Sequence, residues 1–470
     1  MGRKYFAANA TDYTQKLADY AVDLKFGDIP AEVIERAKML TLHTLGVALA
    51  ANPIELSDAA VKVAEAANGG KGGEASVWLG GDKLSMASAA FANGTLSDML
   101  DWEDCAWAGH PNSGAIPAAM AVAEGLKKDG KAYLEAVVAA LEVYQRVSMA
   151  VQPADDFDHN EGWAIANWQI FAASTPAAKL MGLTKQEMNQ TFGASVLFAK
   201  MPSNLQQATM SNAYHYEYGI TAQNGILAAM CAQNGVANLM DCFDIPNAYC
   251  EQLTKAVDRT WLDRNLDDRF YMMDILVKHW PANMWVQTPV ELVDLLVKEN
   301  NIHADDIAEI VVNPPTQYRM HFYEEGFESL MEAQFSIPYV IAAMLLDPKP
   351  GPNWYTPEMF KDPKLIEHAK KVKAGPDKED TLLECFHIYQ NGSHPEKTVT
   401  ITMKDGTVYE KTQRTHKGHP LDMLTLDEFC DLFRREASFA LTPERTEKII
   451  DFVLNLENVD DMSKIHELLV

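Results

Sequence analysis

Four stretches of this chain consist mostly of small or flexible apolar residues: IPAAMAVAEGL, AYLEAVVAALEVYQRVSMAV, TPAAKLMGL and NGILAAMCAQNGV. Helices with so little side-chain bulk can approach one another closely, so these segments imply a compact core of many helices. Pro and Gly at 111, 117, 176, 182, 219 and 235 are expected to punctuate that core. Nearer the start, Thr11 is placed to cap a helix whose apolar face is Tyr13, Leu17, Tyr20, Ala21 and Leu24. Asp28 and Pro30 open the next helix, through Val33, Ile34, Ala37 and Leu40. Its continuation, LGVALAA, is apolar all round and reads as buried.

After about residue 270 the pattern changes. IAEIVV, from Ile307 to Val312, is rich in β-branched residues and meets Pro314-Pro315 as a strand end would. Val399, Ile401 and Met403 alternate with threonines, Asp405-Gly406 supplies a tight turn, and Thr407 to Thr412 can return as the second strand of a hairpin. EAQFSIPYVIAAMLL reads as a buried helix, and the Pro-rich DPKPGPNWYTPEMFKDPKL as a surface excursion. The pattern returns to helix after PLDMLTLDEF. A length of 470 residues exceeds one ordinary core. The expected fold is therefore mainly α: a large helical domain built from both chain ends (1–270 and 419–470) with a smaller α+β lid (271–418) inserted.

Six cysteines are scattered without a CxxC pair, which argues against a zinc site or a disulfide framework and reads as reduced thiols. A formal net charge of −26 opposes nucleic-acid binding. No run of eighteen apolar residues suggests a membrane span, and the opening MGRKYFAANATDYTQ lacks the apolar core of a signal peptide, so a cytoplasmic protein is expected. The histidines form no HxxxH or HExxH pattern, and GxGxxG, GxxxxGK[ST] and GxSxG are absent, so neither metal nor nucleotide is expected.

Several pieces carry a resemblance. They are LADYAVDLKFGDIPAEVIERAKMLTLHTLGVALA, ASAAFANGTLSDMLDWEDCAWAGHPNSGAIPAAMAVAEG, LEVYQRV, AAKLMGL, TAQNGILAAMCAQNGV, EAQFSIPYVIA and the closing hairpin followed by PLDMLTLDEF. In this order, over almost the whole chain, they resemble the 2-methylcitrate dehydratase (MmgE/PrpD) family, related to iminodisuccinate epimerase and cis-aconitate decarboxylase. The resemblance implies the all-α body with an inserted lid, a homodimer and no cofactor. It also matches Asp101 to the first acid of a DFDD-type run and His110 to the histidine of the following His-Pro.

A histidine beside a buried carboxylate can move a proton at neutral pH, so His110 is the leading acid/base, oriented by Asp101 or Asp104. The same acids also read as helix-terminus or solvated groups, with His110 only leading the turn into the next helix. Three family positions differ here. Gly162-Trp163-Ala164-Ile165 stands where the family has Gly-aromatic-His-Pro, with His159 nearby. Tyr214 replaces a lysine, with His215 beside it and Glu217 in place of a histidine. Trp280-Pro281-Ala282-Asn283-Met284 lacks the histidine of a Pro-Cys-Cys-His region, with Lys278 and His279 just upstream. These changes strip positive charge and proton carriers from the site, which argues against the family's usual tricarboxylate. Trp163, Trp168, Tyr214, Trp280 and Trp285 suggest an aromatic pocket, or ordinary core packing.

Tyr214 or His215 is the expected proton partner on the opposite face. Arg319 and Lys278 are the carboxylate-binding candidates, alongside Tyr318. Lys278 also reads as solvated, and Arg319 equally as a structural salt bridge. The resulting expectation is a cofactor-independent lyase or isomerase acting on a small organic acid by proton abstraction next to a carboxylate or carbonyl. The alternative is a non-catalytic relative that serves as a binding or scaffold protein.

Overall fold

The computed structural model describes residues 11–106, 108–154, 166–236, 239–266, 268–390 and 393–469. It is mainly helical, and its strands form a two-stranded ribbon and one four-stranded sheet among the described residues. The alanine-rich segments become the helices Asn112–Gly125, Gly130–Ala150, Gln169–Leu180 and Tyr216–Gln233. Tyr216–Gln233 packs on Gln169–Leu180 and on Met86–Asp98. Its close approach to Met86–Asp98 requires Gly219, because a Cβ there would collide with Thr95 Oγ1 and the Phe91 carbonyl.

Three expected punctuation points therefore lie inside helices: Pro117, Pro176 and Gly219. The helix faces around them are buried on several sides, and tertiary packing outweighs local propensity there. Gly182 and Gly235 do follow helix ends, with φ of 76° and 67°.

Tyr13–Asp23 is the first helix, but Thr11 does not cap it. The carboxylate of Asp244 does, accepting from the backbone amides of Tyr13 and Thr14 at 2.9 Å each. At the other end Lys179 Nζ donates to the carbonyls of Ala21, Val22 and Leu24. Ala31–Ala50 follows, buried along most of its length as its composition implies.

In the four-stranded sheet the order is Val372–Ala374, Ile307–Asn313, Lys397–Met403, Val408–Gln413. The first pair is parallel and the others antiparallel. The hairpin turns at Asp405-Gly406 as its sequence indicates, with Val399 and Ile401 facing the core. Gln287–Asn300 packs between this sheet and Ile337–Leu346. EAQFSIPYVIAAMLL is two helices, because Ser336 caps a new start and Pro338 falls in its first turn. The Pro-rich excursion is not wholly at the surface: Trp354 and Tyr355 are buried, and Tyr355 Oη donates to the Pro281 carbonyl. Near the end of the chain, Leu426–Ala437 packs on Ala31–Ala50 and so returns to the first helices. No described helix is long and apolar enough to cross a membrane.

Candidate active site

The acidic run after Met86–Asp98 is fixed by backbone before any side chain is considered. Cys105 and Leu276 exchange two backbone hydrogen bonds of 2.9 Å, and Val277 N donates to the Gly418 carbonyl at 2.9 Å. Residues 101–105 are thereby laid beside 276–278. Asp101 adopts φ of 47°, a left-handed conformation that an Asp tolerates better than most residues and that recurs at functional sites. Lys278 Nζ meets both the Asp101 carboxylate and its carbonyl, the latter at 2.8 Å, and the Glu103 carboxylate at 2.8 Å.

His110 is aimed by the residues that grip its backbone. Gln169 Nε2 donates to the His110 carbonyl at 2.6 Å, while Tyr144 Oη and Trp168 Nε1 donate to the Ala108 carbonyl at 2.6 and 3.1 Å. The imidazole Nδ1 is in ion-pair contact with Glu103. Its Nε2 lies 3.2 Å from Tyr214 Oη, which lies 3.1 Å from Tyr218 Oη. His110, Tyr214 and Tyr218 are all buried, at 3%, 2% and 1% exposure.

The environment sets the protonation of these groups. Burial opposes ionisation of Glu103, yet the Lys278 ammonium and His110 hold its pKa down to about 2. Burial raises Asp101 to about 6 against the pull of Lys278. Burial, with Glu103 and Asp101 nearby, pushes Asp98 well up. Burial and the carboxylates of Asp101, Asp98 and Glu103 push the Tyr214 phenol well up, so it stays protonated and donates.

The other sequence candidates sort by position. His215 is close: its ring is 5.6 Å from that of Tyr214, and its Nδ1 lies 2.9 Å from both the carbonyl and the carboxylate of Asp98. Burial lowers it to about 4, so it is a neutral imidazole. Asp104 is turned away from His110, bound by His43 Nδ1 at 2.8 Å and by Asn112. The partner at Nδ1 of His110 is thus Glu103 rather than Asp101 or Asp104, because the left-handed turn at Asp101 commits that carboxylate to Lys278. Lys278, 0% exposed and shared by two carboxylates, is neither solvated nor free for a ligand. His279 lies beside Trp280, with Arg435 and His416 as its charged or titratable neighbours. Trp280 stacks on Trp354, and Trp285 is buried beside His394, so both are packing residues. Trp163 and His159 lie outside the described residues.

Arg319 is half-buried, its guanidinium 4.4 Å from the Phe335 ring centroid and 4.7 Å from that of Tyr318. Its Nε donates to Asn283 Oδ1 at 3.2 Å, not to a carboxylate.

Asp98, Tyr218 and Phe335 were not singled out as site residues from the sequence. Tyr218 had a usable signal: it is one helical turn beyond Tyr214, on the same face. Asp98, Glu103 and His110 each offer one ligand atom within 4.8 Å of the others. Lys278 sits on the same Glu103 oxygen and would compete with a cation there.

Residues 15–260 match the MmgE/PrpD N-terminal domain and residues 280–458 the MmgE/PrpD C-terminal domain. The chain is 26% identical to cis-aconitate decarboxylase of Homo sapiens, over 97% of this chain and 94% of that protein. It is likewise 26% identical to the Mus musculus enzyme, over 97% and 93%, and 23% identical to that of Aspergillus terreus, over 97% and 95%. The chain therefore belongs to the MmgE/PrpD family and is an enzyme of the lyase or isomerase kind.

Proposed function

We propose that this enzyme removes a proton next to a carboxylate or carbonyl of a small organic acid, without a cofactor, and that dehydration or isomerisation follows. The observation that carries the reading is the buried line Glu103, His110, Tyr214, with a carboxylate at Nδ1 and a phenol 3.2 Å from Nε2. Contact with Glu103 favours the Nδ1–H tautomer and stabilises the imidazolium once Nε2 has taken a proton. Tyr214, held protonated, donates to the developing enolate or to the departing group. His215 and Asp98 back this face. The α+β part, 271–418, serves as a lid that excludes water. The alternative of a non-catalytic relative would leave this aligned triad unexplained.

The relatives named above are cis-aconitate decarboxylases, which also are lyases. Decarboxylation of a substrate with several carboxylates is disfavoured here, because the cations near His110 are few and mostly paired.

A homodimer is part of the same proposal. From Met188 to Met240 the chain carries only Lys200 and Glu217 as formal charges, and these two pair with each other. The face around them exposes Leu197, Met201, Leu205 and Ile220 at 69%, 76%, 69% and 45%. Two copies of a chain of net charge −26 can meet on such a surface without bringing like charges into contact.

The test is incubation of the protein with a panel of small organic acids in D2O, followed by proton NMR. Catalysed loss of a C–H signal adjacent to a carboxylate or carbonyl supports the reading. Turnover of an acid with no such exchange or elimination contradicts it.

A further inference from the structure

We infer that the substrate bears a single carboxylate, received by Arg319, and that the rest of it is uncharged and lies against Tyr214, Tyr218 and Phe335. This rests on the proton-abstraction reading above and names the substrate class for that site.

The argument is an inventory of positive charge. Lys278 is saturated by Asp101 and Glu103. Lys200 is paired with Glu217, and Lys397 with Asp380. Arg36 directs its guanidinium to the Ile275 carbonyl. His215 is a neutral imidazole. Asp104 acts on Arg36 and Glu436 on Arg435, in the His43 network. Arg319 lies instead on the Tyr214 side of the base. Among the described residues it has no carboxylate partner, only the neutral Asn283 amide and two aromatic faces. Guanidinium remains charged when desolvated, so it presents an unmet demand for an anion with a planar, bidentate shape.

Its position suits the chemistry. Phe335, under the guanidinium, is edge-on to Tyr214 with ring centroids 5.4 Å apart, and Tyr214 Oη lies 3.2 Å from His110 Nε2. A carboxylate on Arg319 is thus one aromatic ring away from the hydroxyl that meets the base. Tyr214, Tyr218, Met331 and Phe335 form one apolar cluster, which gives the remainder of the substrate an uncharged surface.

A second or third substrate carboxylate near His110 would instead face Asp101 and Glu103, whose shared cation is Lys278. Like charges in such a water-poor site repel strongly.

The test uses thermal melting of the full chain at fixed ionic strength with three probes: butyrate, 3-phenylpropionate and tricarballylate. The expected result is a rise of a few degrees with the monocarboxylates, larger for 3-phenylpropionate, and less or none with tricarballylate. Arg319→Gln should abolish the rise and Arg319→Lys retain part of it. Two outcomes overturn the inference: tricarballylate stabilising the wild type as much as the monocarboxylates or more, or monocarboxylates shifting the wild type no more than Arg319→Gln. The wild-type comparison stands even if the variants fail to fold. Binding preference is independent of turnover, so failure here is distinguishable from failure of the C–H exchange experiment.

Discussion

Lys278 Nζ lies 2.8 Å from the Glu103 oxygen that also contacts His110 Nδ1. One buried ammonium therefore holds the carboxylate that orients the base. Removing it leaves Asp101 and Glu103 buried without their cation. Lys278→Met is expected to cost about 3–5 kcal/mol of stability, measured by chemical denaturation. Loss of less than about 1 kcal/mol would mean that the lysine does not bridge the two acids.

Tyr214→Phe keeps the ring packed against Phe335 but deletes the hydroxyl facing His110. The expected result is a fall in kcat of about 100-fold with KM changed little, because the hydroxyl acts mainly as charge develops. Tyr218→Phe, one hydrogen bond further away, should lower kcat by less. Steady-state kinetics on the identified substrate checks both.

A second buried charge network gives a pH prediction. Burial opposes a charge on His43, but Asp104 and Glu436 raise its pKa to about 10, with Arg36 near Asp104 and Arg435 near Glu436. The unfolded value is about 6.5. Because the folded value is the higher one, the stabilisation is complete below about pH 6.5 and is lost as pH rises through about 10. Wild-type stability should therefore fall from pH 7 to 10 by an amount on the order of a few kcal/mol more than that of His43→Gln. Parallel pH profiles for the two proteins would remove His43 from the account.

The uncharged face predicts an assembly effect. Leu205 is 69% exposed in a single copy, and Leu205→Glu places a charge there without touching the core. Sedimentation velocity is expected to show a dimer for the wild type and a shift towards monomer for the variant. A wild type that is monomeric at micromolar concentration would contradict the proposed interface.

Much of the fold was legible because its signals are local. The alternation Val399, Ile401, Met403 and the Asp405-Gly406 turn specify their hairpin without help from the rest of the chain. The Asp244 cap was not legible, since no local pattern joins residue 13 to residue 244. Pro117 misled for a related reason: helix continuity there depends on neighbours distant in sequence. At the site, motif position singles out His110 and Tyr214 as candidates. The identity of the Nδ1 partner is not legible, because Asp101, Glu103 and Asp104 look alike in sequence and only the folded chain gives Asp101 and Glu103 to Lys278 and Asp104 to His43. Lys278 looked like a boundary lysine because its 0% exposure follows from the Cys105–Leu276 pairing, which sequence does not announce.

The central claim is that His110 Nε2 takes the substrate proton. It is tested most directly by the turnover number of His110→Gln, with its fold verified by circular dichroism. The account predicts a loss of roughly 10²- to 10⁴-fold relative to wild type. A correctly folded His110→Gln enzyme that turns over at the wild-type rate would contradict it.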